Sequence, residues 1–204
     1  MTLRNTSSRG DQVVELTKRA GVIRARDLAS HKIPRVHLKR LKEKGVLEQV
    51  SRGLYTLAGA SVTEHHTLAE AAKRVPHGVV CLLSALVFHK LTTQSPFEIW
   101  LAIAPSARSP RVDYPPLRIV RMTGNAREAG VEKHDIEGVP VRISSAAKTV
   151  ADCFKFRNKL GLDVALEALR DYRRDRHRSL DELWRLAKVC RVANVMRPYL
   201  EALA

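Results

Sequence analysis

Apolar positions first recur at helical spacing between Asp11 and Ala20, where Val13, Leu16 and Ala20 share a face and Gly21 ends the run. A shorter helix follows over about Arg24 to Ser30, with Ala25, Leu28 and Ala29 on its inner side. Ile33 and Pro34 then interrupt the pattern. Proline has a fixed φ and no N–H, so it suits a first helical turn and discourages continuation of the helix before it. A third helix is therefore predicted from Pro34 to Lys44, closed by Gly45. At 100° per residue Pro34, Leu38 and Leu41 point inward, while Val36, Lys39, Arg40 and Glu43, flanked by Arg35 and Lys42, lie outside.

After Gly45 the period changes to that of strands. Val46, Leu47, Gln49 and Val50 form one short run and Leu54 to Leu57 another, with Ser51-Arg52-Gly53 as the turn between them. Three short helices followed by a hairpin is the winged variant of the helix-turn-helix, expected over residues 1–60. Gly59, Ala60 and Ser61 read as a linker.

The second domain, 61–204, begins with a helix over about Glu64 to Val75 and an apolar segment from Val79 to Leu91. Strands are predicted over Phe97 to Ala104 and Leu117 to Met122, separated by a Pro-rich loop, and a hairpin over His134 to Ser144 turns at Glu137-Gly138. Helices fill the remainder: Ala146 to Asn158, Leu162 to Arg174, Leu180 to Cys190, and Val192 to Leu203 with Pro198 bending the last. Strands gathered in one block and helices in another give an α+β fold: a winged helix-turn-helix followed by a small sheet and a helical C-terminal half.

Charge turns this outline toward a polyanion. The chain has 204 residues and a formal net charge of +15. Residues 1–60 hold 13 Lys and Arg against 5 Asp and Glu, a net of +8, and the longer remainder holds a net of +7. Dense positive charge on a small helical module is the footprint of a nucleic-acid binder. The outer face of the third helix has the chemistry a major groove asks for. Arg35, Lys39, Arg40 and Lys42 can donate to guanine or phosphate, Glu43 can accept from cytosine, and Val36 can meet a thymine methyl. Glu43 also stands at ion-pair spacing from Lys39. Arg52 at the wing tip would reach a phosphate or the minor groove, with Arg24 and Lys32 clamping the backbone beside the second helix.

Elsewhere the chemistry is sparse. There is no P-loop and no GxGxxG, and ten glycines nowhere cluster around a phosphate. Cys81, Cys153 and Cys190 are odd in number and widely spaced, the pattern of buried small hydrophobes and not of a disulfide framework. The eight histidines form no HExxH motif, so neither a metal nor a cofactor is expected. Ser84, His89 and Asp152 are present, but presence is not geometry, and no catalytic residue is assigned. Lys148 and Asp152 stand four apart on one helix, either as a surface or helix-stabilising ion pair or, with Thr149, as a polar pocket or partner surface. Arg170, Arg173, Arg174, Arg176 and Arg178 form the densest basic run, either a solvated helix end or a second DNA contact. No export signal and no apolar stretch of the roughly 18 residues a membrane span needs is visible, so the cytoplasm is the expected compartment and no membrane partner is expected.

The run IPRVHLKRLKEKGVLEQVSRGLYTL at 33–57 resembles the N-terminal module of AbiEi-type antitoxins, whose wing ends in an aromatic after "RGxY". SALVFHKL at 84–91 and SSAAKTVADCF at 144–154 are similar to two further segments of that family, with Lys148 where the family commonly has Arg and His89-Lys90 where it has "HG". The resemblance implies a transcriptional autorepressor that is the antitoxin of a toxin–antitoxin pair. It implies inverted repeats in its own promoter, bound by a dimer or by monomers side by side. It also implies a nucleotidyltransferase-like toxin, neutralised without need of a stable complex. The residues themselves leave open a regulator whose C-terminal domain senses a small ligand, and an enzyme acting on the toxin or on nucleic acid, for which clustered carboxylates or a nucleotide site would be required.

Overall fold

The computed structural model describes residues 8–60 and 63–203, so Ser61 of the expected linker lies outside the described residues. The chain is an α+β protein of two compact units, one of residues 1–74 together with 135–140, the other of 75–134 and 141–204. The division thus falls after the helix that follows the wing, not at position 60, and each unit is described by itself.

The first unit opens with α1 (Arg9–Ala20), begun by a reciprocal cap in which the Asp11 amide donates to Ser8 Oγ and the Ser8 amide to Asp11 Oδ2. Val13 and Thr17 are its buried positions, Thr17 donating its hydroxyl to the Val13 carbonyl at 2.7 Å. The chain then pairs as a two-residue strand, β1 (Ile23–Arg24), before α2 (Asp27–Ser30), which is shorter than expected and leaves Ala29 exposed. Next come α3 (Val36–Glu43), β2 (Leu47–Ser51), β3 (Leu54–Leu57) and α4 (His66–Arg74). β3 is the middle of a three-stranded antiparallel sheet in the order β1-β3-β2. Val13, Ile23, Leu28, Ile33, Leu38 and Leu47 form the core under it. Leu38 faces inward as predicted and Leu41 is half-buried, whereas Pro34 is exposed because it precedes the helix and does not lie on its inner face.

The 135–140 segment closes against α1 of the same unit. Gly21 has φ +58°, and a Cβ there would lie 1.2 Å from the Glu137 carbonyl oxygen, so only glycine permits the approach. The Glu137 carboxylate accepts from the Thr63 amide at 2.7 Å and the Thr63 hydroxyl at 2.9 Å, and lies 2.6 Å from His66 Nδ1. Burial alone would raise this carboxyl, but the Thr63 amide, His66 and the Thr63 hydroxyl outweigh it and leave it below the ordinary glutamate value.

The second unit contains β4 (Val79–Val80), α5 (Leu82–Phe88), β5 (Ile99–Ile103), β6 (Leu117–Arg121) and α6 (Gly124–Glu128). Strands β7 (Val131–Ile136) and β8 (Val139–Ser144) form the expected hairpin, turning at Glu137-Gly138. Five helical segments follow: α7 (Ala146–Lys155), α8 (Arg157–Leu160), α9 (Leu162–Arg174), α10 (Leu180–Cys190) and α11 (Ala193–Ala202), with Pro198 inside the last. The sheet runs β6-β5-β4-β8-β7 and is mixed: β5 pairs parallel with β6 and antiparallel with β4, which pairs parallel with β8. β4 and α6 were not foreseen. The single apolar run 79–91 is cut at Cys81, where an extended residue caps α5. α7 is the hub, with every residue from Ala147 to Phe154 buried among α5, α9, α10 and α11. All three cysteines are buried as free thiols.

Candidate nucleic-acid interface

Leu38 anchors α3 in the core, and that single inward position determines what the helix shows on its other side. Arg35, Val36, Lys39, Arg40, Lys42 and Glu43 are all exposed, Val36 at 46%. Val36 is an apolar group left open to solvent on this face, of the kind that can meet a thymine methyl. Lys39 and Glu43 form the anticipated i,i+4 pair at 3.8 Å, both largely solvated, an interaction worth little on its own. Lys42 Nζ donates to Gln49 Oε1 at 2.9 Å, tying the helix to the first strand of the wing.

Around this face Arg52 is exposed in the β2–β3 turn, where Gly53 has φ +75°. Lys32 is exposed in the turn between α2 and α3, and its carbonyl accepts from Arg9 Nη1 at 2.5 Å. Arg24 departs from the expectation. It is 9% exposed on β1, its amide donates to Asp27 Oδ2 at 2.8 Å, and its Nη2 is buried with no partner among the described residues. A backbone clamp needs the guanidinium in solvent, but pairing of β1 with β3 turns Arg24 inward, so it is not one. Arg26 is exposed two residues later, at the start of α2. The strand that shifts the exposed position from 24 to 26 is only two residues long, too short to leave a period in the sequence.

In the second unit the arginine run divides. Arg170, Arg174 and Arg176 are exposed, with Arg174 paired to Asp171 at 2.6 Å. Arg178 is held in place: it lies over the Tyr172 ring at 5.5 Å, pairs with Asp175 at 3.1 Å and donates to the His89 carbonyl at 3.0 Å. Arg173 is half-buried, with its Nη1 unpartnered among the described residues. The run is therefore part surface and part scaffold, and three of its five members offer charge outward.

Lys148, Thr149 and Asp152 form no surface. They are 1%, 0% and 0% exposed, so the i,i+4 ion pair is present but lies in the interior and not at the surface, and the partner surface is corrected. Lys148 Nζ donates to Asp152 Oδ2, Cys190 Sγ donates to Asp152 Oδ1 at 3.4 Å, and Thr149 Oγ1 donates to the Ser144 and Ser145 carbonyls. Burial pushes the Asp152 carboxyl above the ordinary aspartate value, against the pull of Lys148. Nor do Ser84, His89 and Asp152 share partners. Ser84 Oγ accepts from the Trp100 amide at 2.9 Å, and His89 Nε2 lies 2.7 Å from the Ser144 carbonyl. Burial lowers the His89 imidazole below its ordinary value, opposed by the Ser144 carbonyl. Among the described residues no three His, Cys, Asp or Glu side chains gather as a metal site, and no helix is long and apolar enough to cross a membrane.

Three helices, a short strand and a two-stranded wing, with the basic face on the third helix, define a winged helix-turn-helix module. Residues 11–58, which span it from α1 to the end of the wing, match the family model described as "Transcriptional regulator, AbiEi antitoxin". Over a larger span the chain is similar in fold to the RV2827C protein from Mycobacterium tuberculosis, with a TM-score of 0.58 and 16% identity, covering 91% of this chain and 73% of that one. No curated protein matches the chain.

Proposed function

We propose that the protein is a cytoplasmic DNA-binding autorepressor and the antitoxin of a toxin–antitoxin pair whose toxin is nucleotidyltransferase-like, and that it is not itself an enzyme. The observation that carries the DNA-binding part is the exposed set Arg35, Val36, Lys39, Arg40, Lys42 and Glu43 on α3, flanked by Arg52 and Lys32, within a module that matches an antitoxin regulator family. α3 enters the major groove, the wing contacts the backbone, and inverted repeats in the protein's own promoter are the site, bound by a dimer or by monomers side by side. Arg170, Arg174 and Arg176 add phosphate contacts outside the module. The family match supports the antitoxin role, which reaches the toxin without need of a stable complex.

The test is anisotropy of the purified protein on its promoter duplex and on a scrambled duplex, between about 50 and 200 mM salt. Selective binding to the promoter that Lys39→Ala/Arg40→Ala removes is the expected result. Equal, salt-sensitive binding to both duplexes would reduce the charge to a generic polyanion surface and refute the proposal.

A further inference from the structure

Arg52 projects from a turn whose root is held in an unusual way. Ser51, the residue before it, ends β2 after an irregularity: Leu47 faces Leu57 and Glu48 faces Thr56, but the register slips before Ser51 meets Leu54. A bulge leaves the strand end poorly defined by the ladder alone. The Ser51 hydroxyl supplies what the ladder omits. It accepts from Arg74 Nη2 at 2.7 Å and donates to Glu70 Oε1 at 3.2 Å, so both its capacities are used by α4. Glu70 is 1% exposed, and burial raises its carboxyl against the opposing pull of His66, Ser51 and Arg74. Holding a carboxylate and a guanidinium around one hydroxyl is expensive, and apolar packing would stabilise the same spot at least as well. Two directed hydrogen bonds do what apolar packing does not: they hold the strand end in one orientation.

We propose that Ser51 is a positioning residue for the wing, gripped by Glu70 and Arg74 so that Arg52 is presented to the DNA backbone already aimed. This rests on the DNA-binding reading of the module. An arginine on a loose turn must be ordered when it binds, at a cost on the order of 0.5–1.5 kcal/mol per immobilised side chain, which converts to roughly 2- to 12-fold in affinity. The grip removes that cost in advance.

The experiment compares full-length wild type, Ser51→Ala, Ser51→Thr, Arg52→Ala and the Ser51→Ala/Arg52→Ala double variant on promoter and scrambled duplexes across the same salt range. Ser51→Ala is expected to weaken promoter binding roughly 2- to 12-fold at nearly unchanged salt slope, because the Arg52–phosphate contact still forms once bound, whereas Arg52→Ala should lower the slope by about 0.9. The double variant should bind like Arg52→Ala alone, since the hydroxyl acts only through that side chain. Ser51→Thr, which keeps the hydroxyl, should retain wild-type affinity. Arg74→Met, which removes the donor to the Ser51 hydroxyl, gives a second route to the same affinity loss if Ser51→Ala folds poorly. The inference is overturned if Ser51→Ala and Arg74→Met bind like wild type, or if Ser51→Ala weakens binding additively with Arg52→Ala. Wild type that does not prefer its promoter would instead overturn the DNA-binding reading, and this inference with it.

Discussion

Replacing Lys148 by Met tests whether the interior of the second unit is held by a buried ion pair. Lys148 and Asp152 are 1% and 0% exposed, and the carboxylate's other contact is the Cys190 thiol at 3.4 Å, a weak donor. Methionine fills much of the lysine's volume, so the cavity is small and the loss is electrostatic. Breaking a buried pair by removing one partner costs about 3–5 kcal/mol. For a chain of this length each kcal/mol moves the melting temperature by about 2–4 °C, so a fall of roughly 6–20 °C is expected at neutral pH. The loss should also depend on pH. Without Lys148 the folded-state value of Asp152, already raised by burial, rises further above its unfolded value of about 3.9. The folded state then binds more protons than the unfolded one, so stability is highest below the unfolded value and is lost as pH rises through the folded one. Lys148→Met should therefore lie closest to wild type near pH 4 and diverge toward pH 7. Lys148→Met/Asp152→Leu, which removes both charges, should recover most of the loss. Thermal melts followed by circular dichroism across pH measure all three. A single variant as stable as wild type at pH 7, or a double variant no better than the single, would refute the argument. It also follows that loss of toxin neutralisation by Lys148→Ala or Asp152→Ala would report on folding, not on a partner contact.

Two further predictions concern the first unit. Gly21→Ala places a methyl within 1.2 Å of the Glu137 carbonyl oxygen at φ +58°, and should destabilise by more than the roughly 1 kcal/mol typical of a point substitution, measured by urea denaturation. A Gly21→Ala protein with an unchanged midpoint would mean that the 135–140 segment does not pack as described. Glu137→Gln weakens acceptance from Thr63 and His66 and should cost about 1 kcal/mol at neutral pH. Because the Glu137 carboxyl is lowered, its stabilisation is present above the unfolded value of about 4.3 and disappears as pH falls through the folded one, so variant and wild type should converge in acid. Parallel stability curves from pH 3 to 7 would contradict this.

In the winged module α1, α3 and the wing turn were legible because each carries its own punctuation: Gly21 after α1, Pro34 before α3, and Gly53 in a turn that needs positive φ. The basic outer face of α3 was legible for the same reason, since one apolar anchor at helical spacing implies the opposite side. The buried cluster was not. Lys148 and Asp152 at i,i+4 spell a helical pair whether the helix is wet or dry, and only the helices packed around α7 decide which. β4 is two residues inside an apolar run, and α6 is a five-residue turn of helix, so neither fills a window long enough to show a period.

By itself the sequence determined the longer local elements, the α+β class, the charge asymmetry and the exposed face of the third helix, all of which follow from spacing within a few turns of chain. Tertiary structure decided the rest. It turned Arg24 inward through pairing with β3, joined α4 to the first unit through Ser51, Glu70 and Arg74, and sealed Lys148 and Asp152 from water. The reason is the same in each case. Whether a charged side chain is solvated depends on groups distant in sequence, and local periodicity carries no record of them.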